Sequence, residues 1–119
     1  MRLNKNKQNI IWLAANRFGF ELLKQAHTIT PGSFSAIITL DEQSTTKMYD
    51  GVEYDAWNEF SLPVHRVMGC DDIRRLVRSL EPDFLFVCGW RQMLDEDLLG
   101  IPKKGTIGFH PTLLPKGRG

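Results

Sequence analysis

A single α/β domain, a Rossmann-like parallel sheet flanked by helices, is the fold that this 119-residue sequence predicts, on three observations. Short apolar, β-prone runs at residues 10–14, 35–40 and 83–88 have the composition of strands covered on both faces. Segments with apolar residues at helical spacing lie between such runs. Strands that each arrive after a helix run parallel to one another.

The first run, Ile10-Ile11-Trp12-Leu13-Ala14, is continuously apolar and reads as a central strand, broken by Asn16 and Gly19. From Phe18 onward Phe18, Leu22, Leu23 and Ala26 form the apolar stripe of a helix, which Pro31-Gly32 ends. Ser35-Ala36-Ile37-Ile38-Thr39-Leu40 is the second strand and closes a βαβ unit. Residues 41–62 read as a mobile loop followed by a short helix carrying Tyr54, Trp57 and Phe60, with Pro63 as its stop.

Val64-His65-Arg66-Val67 is a short strand, after which Asp71 or Asp72 caps a helix with Ile73, Leu76, Val77 and Leu80 on one face. Arg74, Arg75 and Arg78 fall on the other side as a solvated face, with Asp71 placed to pair with Arg74 or Arg75. Pro82 introduces the strand 83–88, closed by Gly89-Trp90, and Asp95, Glu96 and Asp97 suit the first turn of a further short helix. Residues 106–110 read as a last strand. The sequence holds no internal repeat, linker or low-complexity tract.

Composition narrows the function. A formal net charge of +1 supplies no field for a polyanion and argues against nucleic-acid binding by bulk charge. Two cysteines, Cys70 and Cys88, do not make a disulfide framework and fit a reducing compartment. The apolar run behind the polar, basic start is too short for a signal-peptide core or a membrane span, so a cytoplasmic protein with no membrane contact is expected.

Ligands of parallel α/β sheets lie beyond the carboxyl ends of the strands, which points to residues 15–19, 89–94 and 110 onward. The first of these turns lacks the G-x-G-x-x-G spacing of a dinucleotide site, and no phosphate-loop lysine pattern occurs. His27, His65 and His110 are too scattered to specify a metal, and none is expected. His110 is the candidate catalytic residue, because a strand delivers it into a loop of two prolines and several glycines. Period-two alternation sets Gly108 and His110 on one face and turns Phe109 the other way into packing.

The segment His110-Pro111-Thr112-Leu113-Leu114-Pro115-Lys116-Gly117-Arg118-Gly119 closely resembles the signature of the folate-dependent formyltransferases. The likeness extends back through Pro82-Asp83-Phe84-Leu85-Phe86-Val87-Cys88-Gly89-Trp90 and weakly to Arg17-Phe18-Gly19. The resemblance implies N10-formyltetrahydrofolate as formyl donor and a primary amine as acceptor, with His110 assisting attack on the formyl carbon. A sugar-nucleotide or other small amine is preferred to methionyl-tRNA, because the weak basic balance leaves no footprint for transfer RNA.

By the same resemblance Trp90, Gln92, Met93 and Leu94 line the folate pocket, although spacing alone equally suits Trp90, Met93 and Leu94 to packing the base of the next helix. Asn16, Arg17 and Arg118 are candidate substrate-binding residues near the acceptor. Two departures stand out. Gly108 occupies the position where the family carries an asparagine, and the family's aspartate falls past Gly119. Residues 1–119 are therefore expected to be the N-terminal portion of a catalytic domain, incomplete after the His-Pro-Thr-Leu-Leu-Pro loop and inactive alone, with a noncatalytic folate-like binding module as the alternative.

Overall fold

The computed structural model describes residues 8–44 and 50–109. Five strands, β1 (Ile10–Leu13), β2 (Phe34–Leu40), β3 (Val64–Val67), β4 (Phe84–Cys88) and β5 (Gly105–Phe109), form one sheet in the order β3-β2-β1-β4-β5. Every pairing in it is parallel. The chain builds outward from β1 to β3, then returns past β1 to lay down β4 and β5. The strand order thus reverses between β1 and β4, the place where doubly wound sheets open a ligand crevice.

Two cores sandwich this sheet. On one face Ile10, Trp12 and Ile37 pack with Phe20 and Leu23 of helix α1 (Arg17–Ile29) and with Trp57 and Phe60 of the 3₁₀ helix Tyr54–Phe60. On the other, Ile11, Leu13, Ile38 and Leu85 meet Ile73 and Val77 of α2 (Cys70–Leu80) and Leu98 of α3 (Glu96–Leu99). All four residues of β1 are buried, which explains its unbroken apolar run.

Several local expectations need correction. Gly19 does not break the chain before the helix; it lies inside the first turn of α1, where its missing side chain lets the helix press on the sheet. A Cβ there would stand 2.3 Å from the Cys88 carbonyl oxygen and 2.6 Å from the Ala14 Cβ. The buried residues of α1 are Gly19, Phe20 and Leu23; the expected Leu22 and Ala26 pack partly buried against the same core, while Phe18 is only half-buried. Tyr54, Trp57 and Phe60 recur every third residue, the period of a 3₁₀ rather than an α-helix. Of the loop before it, residues 45–49 lie outside the described residues.

Neither Asp71 nor Asp72 is the N-cap of α2. Gly69 is, without a side-chain bond, and the Asp72 carboxylate reaches back to accept the Met68 N–H at 2.9 Å. Asp95 is the N-cap of α3 rather than part of its first turn, accepting from Leu98 N at 2.9 Å. On the arginine face of α2, Arg75 and Arg78 are exposed as expected, and Arg74 is not. Arg74 turns toward α3, pairing with Asp71 at 2.7 Å, with Asp95, and with Asp97 at 3.3 Å. Arg75 pairs with Asp72, and Arg78 with Asp97 at 3.1 Å.

Candidate functional site

A cleft of about 200 Å³ opens at the carboxyl ends of β1, β4 and β5, at the reversal of strand order. Asn16 forms one wall and Gly89, Trp90 and Arg91 another, while Val87, Gly108 and Phe109 complete it. The expected turns after β1 and β4 do converge here, and Ala15 N–H donates to the Gly89 carbonyl at 3.2 Å across their base. Other hollows lie elsewhere. One of about 330 Å³ sits beyond β1 to β3 and includes Thr39, Asp41, Tyr54 and Arg66. Another, of about 570 Å³, runs along the edge strand β3 toward Arg75 and Ser79.

Asn16 is a structural keystone as well as a wall. Its Oδ1 accepts the Gly19 N–H at 3.0 Å and caps α1, and its Nδ2 donates to Asp50 Oδ2 at 3.3 Å. Gly89 makes room for it: the residue sits at φ +68°, and a Cβ there would fall 1.7 Å from Asn16 Oδ1. Glycine satisfies both the left-handed backbone and the contact. Arg17, by contrast, is exposed and pairs with Glu21 at 3.6 Å, one helical turn on.

The expected folate segment divides. Trp90 packs against the core shared with α2 and α3 while lining the cleft, and its indole N–H is enclosed without a hydrogen-bond partner among the described residues. Gln92 reaches away to donate its Nε2 to the Met68 carbonyl at 3.1 Å, and Leu94 packs on the same core as Trp90. Met93 is 90% exposed. Only Trp90 of the four lines the cleft.

Gly108 lines the cleft from β5, paired in register with Val87. Phe109 turns into the α1-side core, with its ring 6.3 Å from Trp12 and 5.6 Å from Phe86. The expected alternation is therefore present up to Phe109. His110 and Arg118 lie outside the described residues.

Two residues of the site were not singled out in the sequence, although Arg91 falls within the expected segment 89–94. Arg91 contributes a half-exposed guanidinium to the wall, and Asp50 stands opposite it with Oδ1 3.6 Å from Arg91 Nη2. Their separation along the chain hides the pairing, which arises because the connection after β2 docks at the start of α1, beside the turn that follows β4. Cys88, buried at the end of β4, is no nucleophile: burial pushes its thiol up to about 12. Among the described residues no group of three or more His, Cys, Asp or Glu side chains is arranged to hold a metal ion. No helix there is long and apolar enough to cross a membrane.

No family model matches the chain. Individual relatives do. A methionyl-tRNA formyltransferase of Clostridium beijerinckii is 28% identical over 118 residues, 93% of this chain and 37% of that protein. A methionyl-tRNA formyltransferase of Clostridium perfringens is 38% identical over 64 residues, covering 51% of this chain and 21% of the relative. The bifunctional polymyxin resistance protein ArnA of Wigglesworthia glossinidia brevipalpis is 30% identical over 87 residues, 71% of this chain and 13% of its own length. The chain thus spans well under half the length of the curated relatives it matches. By these likenesses, which come on top of the parallel α/β sheet, the chain belongs with the formyltransferases.

Proposed function

We propose that the protein to which this chain belongs transfers a formyl group from N10-formyltetrahydrofolate to a primary amine, using the cleft between the ends of β1 and β4. The observation that carries this reading is a cleft at the reversal of strand order, with β5 followed in sequence by His110, in a chain similar to methionyl-tRNA formyltransferases. The donor occupies the side walled by Trp90, with Gln92, Met93 and Leu94 in the loop that follows. The acceptor approaches from Asn16, Arg17 and Arg118. A sugar-nucleotide or other small amine suits the near-neutral chain better than methionyl-tRNA does. The setting is the cytoplasm, and no metal takes part.

Chemically, the amine nitrogen attacks the formyl carbon and forms a tetrahedral adduct, the carbon–N10 bond then breaks, and a proton passes from the amine to N10. His110 as imidazolium donates a hydrogen bond to the oxyanion and relays that proton. Residues 1–119 supply part of the catalytic domain and are inactive alone, a reading that the share of each relative covered supports. Assay of the full-length protein with N10-formyltetrahydrofolate and a panel of amines tests it. Formyl transfer that His110→Ala reduces at least a hundredfold is the expected result. Absence of transfer to any amine, or a fully active His110→Ala, contradicts it.

Gly108 favours one other reading, a folate-like binding module without chemistry, because the cleft lacks a side-chain amide at that position. Tight binding of a folate by the full-length protein, with no turnover of any amine, would select it.

A further inference from the structure

We infer that Asp50 is a positioning residue that fixes both walls of the cleft at once, an inference that rests on the folate reading for its functional consequence. Asp50 arrives from the connection between β2 and the 3₁₀ helix and does not itself line the cleft. Its carboxylate nevertheless meets one polar group from each wall: Oδ2 accepts from Asn16 Nδ2 at 3.3 Å, and Oδ1 faces Arg91 Nη2 at 3.6 Å. Its backbone carbonyl accepts the Arg17 N–H at 2.8 Å, and Gly51 forms an isolated antiparallel bridge with Asn16. The main-chain contacts dock the connection against the start of α1. The side chain adds something the backbone does not, a single acceptor group joining the β1 wall to the β4 wall.

The orientation of each partner follows from that carboxylate. With Nδ2 drawn to Asp50, the Asn16 amide presents Oδ1 to Gly19, so one flip state serves the helix cap and the wall together. Asp50 is the one ion-pair partner of Arg91 among the described residues, and it holds the guanidinium across the mouth of the cleft. Both partners of that pair are about half exposed, so the pair adds little to global stability. What it sets is the gap between the walls and the direction of the Arg91 charge. The groups lie on loops following two different strands, and no hydrogen bond of the sheet ladder fixes their side chains.

The experiment compares full-length wild type with Asp50→Asn, Asp50→Ala, Arg91→Ala and the Asp50→Ala/Arg91→Ala double variant. The probe is 5-formyltetrahydrofolate, the stable isomer of the donor, titrated by calorimetry. Asp50→Ala is expected to weaken binding on the order of tenfold, below the hundredfold that a misplacement of about 1 Å can cost. The donor KM rises by the same factor with kcat nearly unchanged, a split that general loosening of the fold would not produce. Asp50→Asn, which keeps an acceptor for Asn16 but loses the charge facing Arg91, falls between. The double variant binds no worse than the weaker single one, because both act on one contact.

Wild-type affinity in Asp50→Ala, or additive losses in the double variant, would overturn the inference. Amide hydrogen exchange supplies a readout independent of folate. Asp50→Ala speeds exchange at residues 16–19 and 89–92 and leaves the amides of β1 and β4 unchanged, and equal exchange in both segments overturns the positioning role by itself. If wild type fails to bind 5-formyltetrahydrofolate, the folate reading fails, and the exchange result alone decides the role of Asp50.

Discussion

Two glycines, Gly19 and Gly89, allow close approaches around this site. Gly19 allows the first turn of α1 to touch the end of β4, and the Trp12 indole N–H bonds its carbonyl at 3.1 Å in a buried contact. Gly19→Ala puts a methyl against the backbone of Cys88, which cannot yield as a flexible side chain would. We expect a loss of about 3 kcal/mol, read as a lower urea midpoint at constant m. Gly108 has a different character, because it lines the cleft and its φ is not positive. Gly108→Asn restores the amide that the family resemblance expects there. On the proposed formyl-transfer function, turnover by the full-length protein should rise on the order of tenfold, by addition of an oxyanion donor. An unchanged or lower rate would show that the formyl oxygen is held from elsewhere.

At the scale of elements, the junction of α2 with α3 is electrostatic at its rim and apolar beneath. Arg74 gathers Asp71, Asp95 and Asp97 above Ile73, Val77 and Leu98. The Leu98 N–H bond and the Arg74 charge hold the Asp95 carboxyl below the usual carboxylate range, while the bond to Asp71 chiefly raises Arg74. A depressed acid stabilises the fold above its unfolded value and loses that contribution as pH falls through its folded one. The α3 cap should therefore loosen below the ordinary carboxylate range, near pH 4 and downward. Asp95→Asn should flatten that part of the stability profile, measured by thermal melts from neutral to acid pH. A raised arginine titrates above any working pH, so Arg74 contributes no slope. The Arg74–Asp71 pair was legible from its spacing on one helix; the contacts to Asp95 and Asp97 were not, because helical spacing assigns Arg74 to an outer face, yet a guanidinium is long enough to bend over the rim onto the next element.

For the whole molecule, the sheet was readable because its signal is local. Continuous apolar runs at β1, β2 and β4 and the three-residue recurrence of Tyr54, Trp57 and Phe60 are properties of neighbours in sequence. The turns after β1 and β4 were expected at the cleft because ligands of parallel sheets lie beyond the carboxyl ends of the strands, whereas the strand order that makes them neighbours is not a local property of the sequence. The cross-links of the site were not expected, since Asp50 meets Asn16 34 residues away and no periodicity relates them. The segment 89–94 reaches the cleft through Gly89, Trp90 and Arg91, while the separate destinies of Trp90, Gln92, Met93 and Leu94 depend on how that loop folds back onto α2.

The central claim is that the cleft between β1 and β4 receives the folate donor. Amide chemical-shift mapping of the isotopically labelled full-length protein, titrated with 5-formyltetrahydrofolate, tests it most directly. Saturable shifts concentrated at Asn16, Gly89, Trp90, Arg91 and Gly108 are predicted. Shifts centred instead on His65, Arg75 and Ser79 along the β3 edge, or no saturable shifts at all, would contradict it.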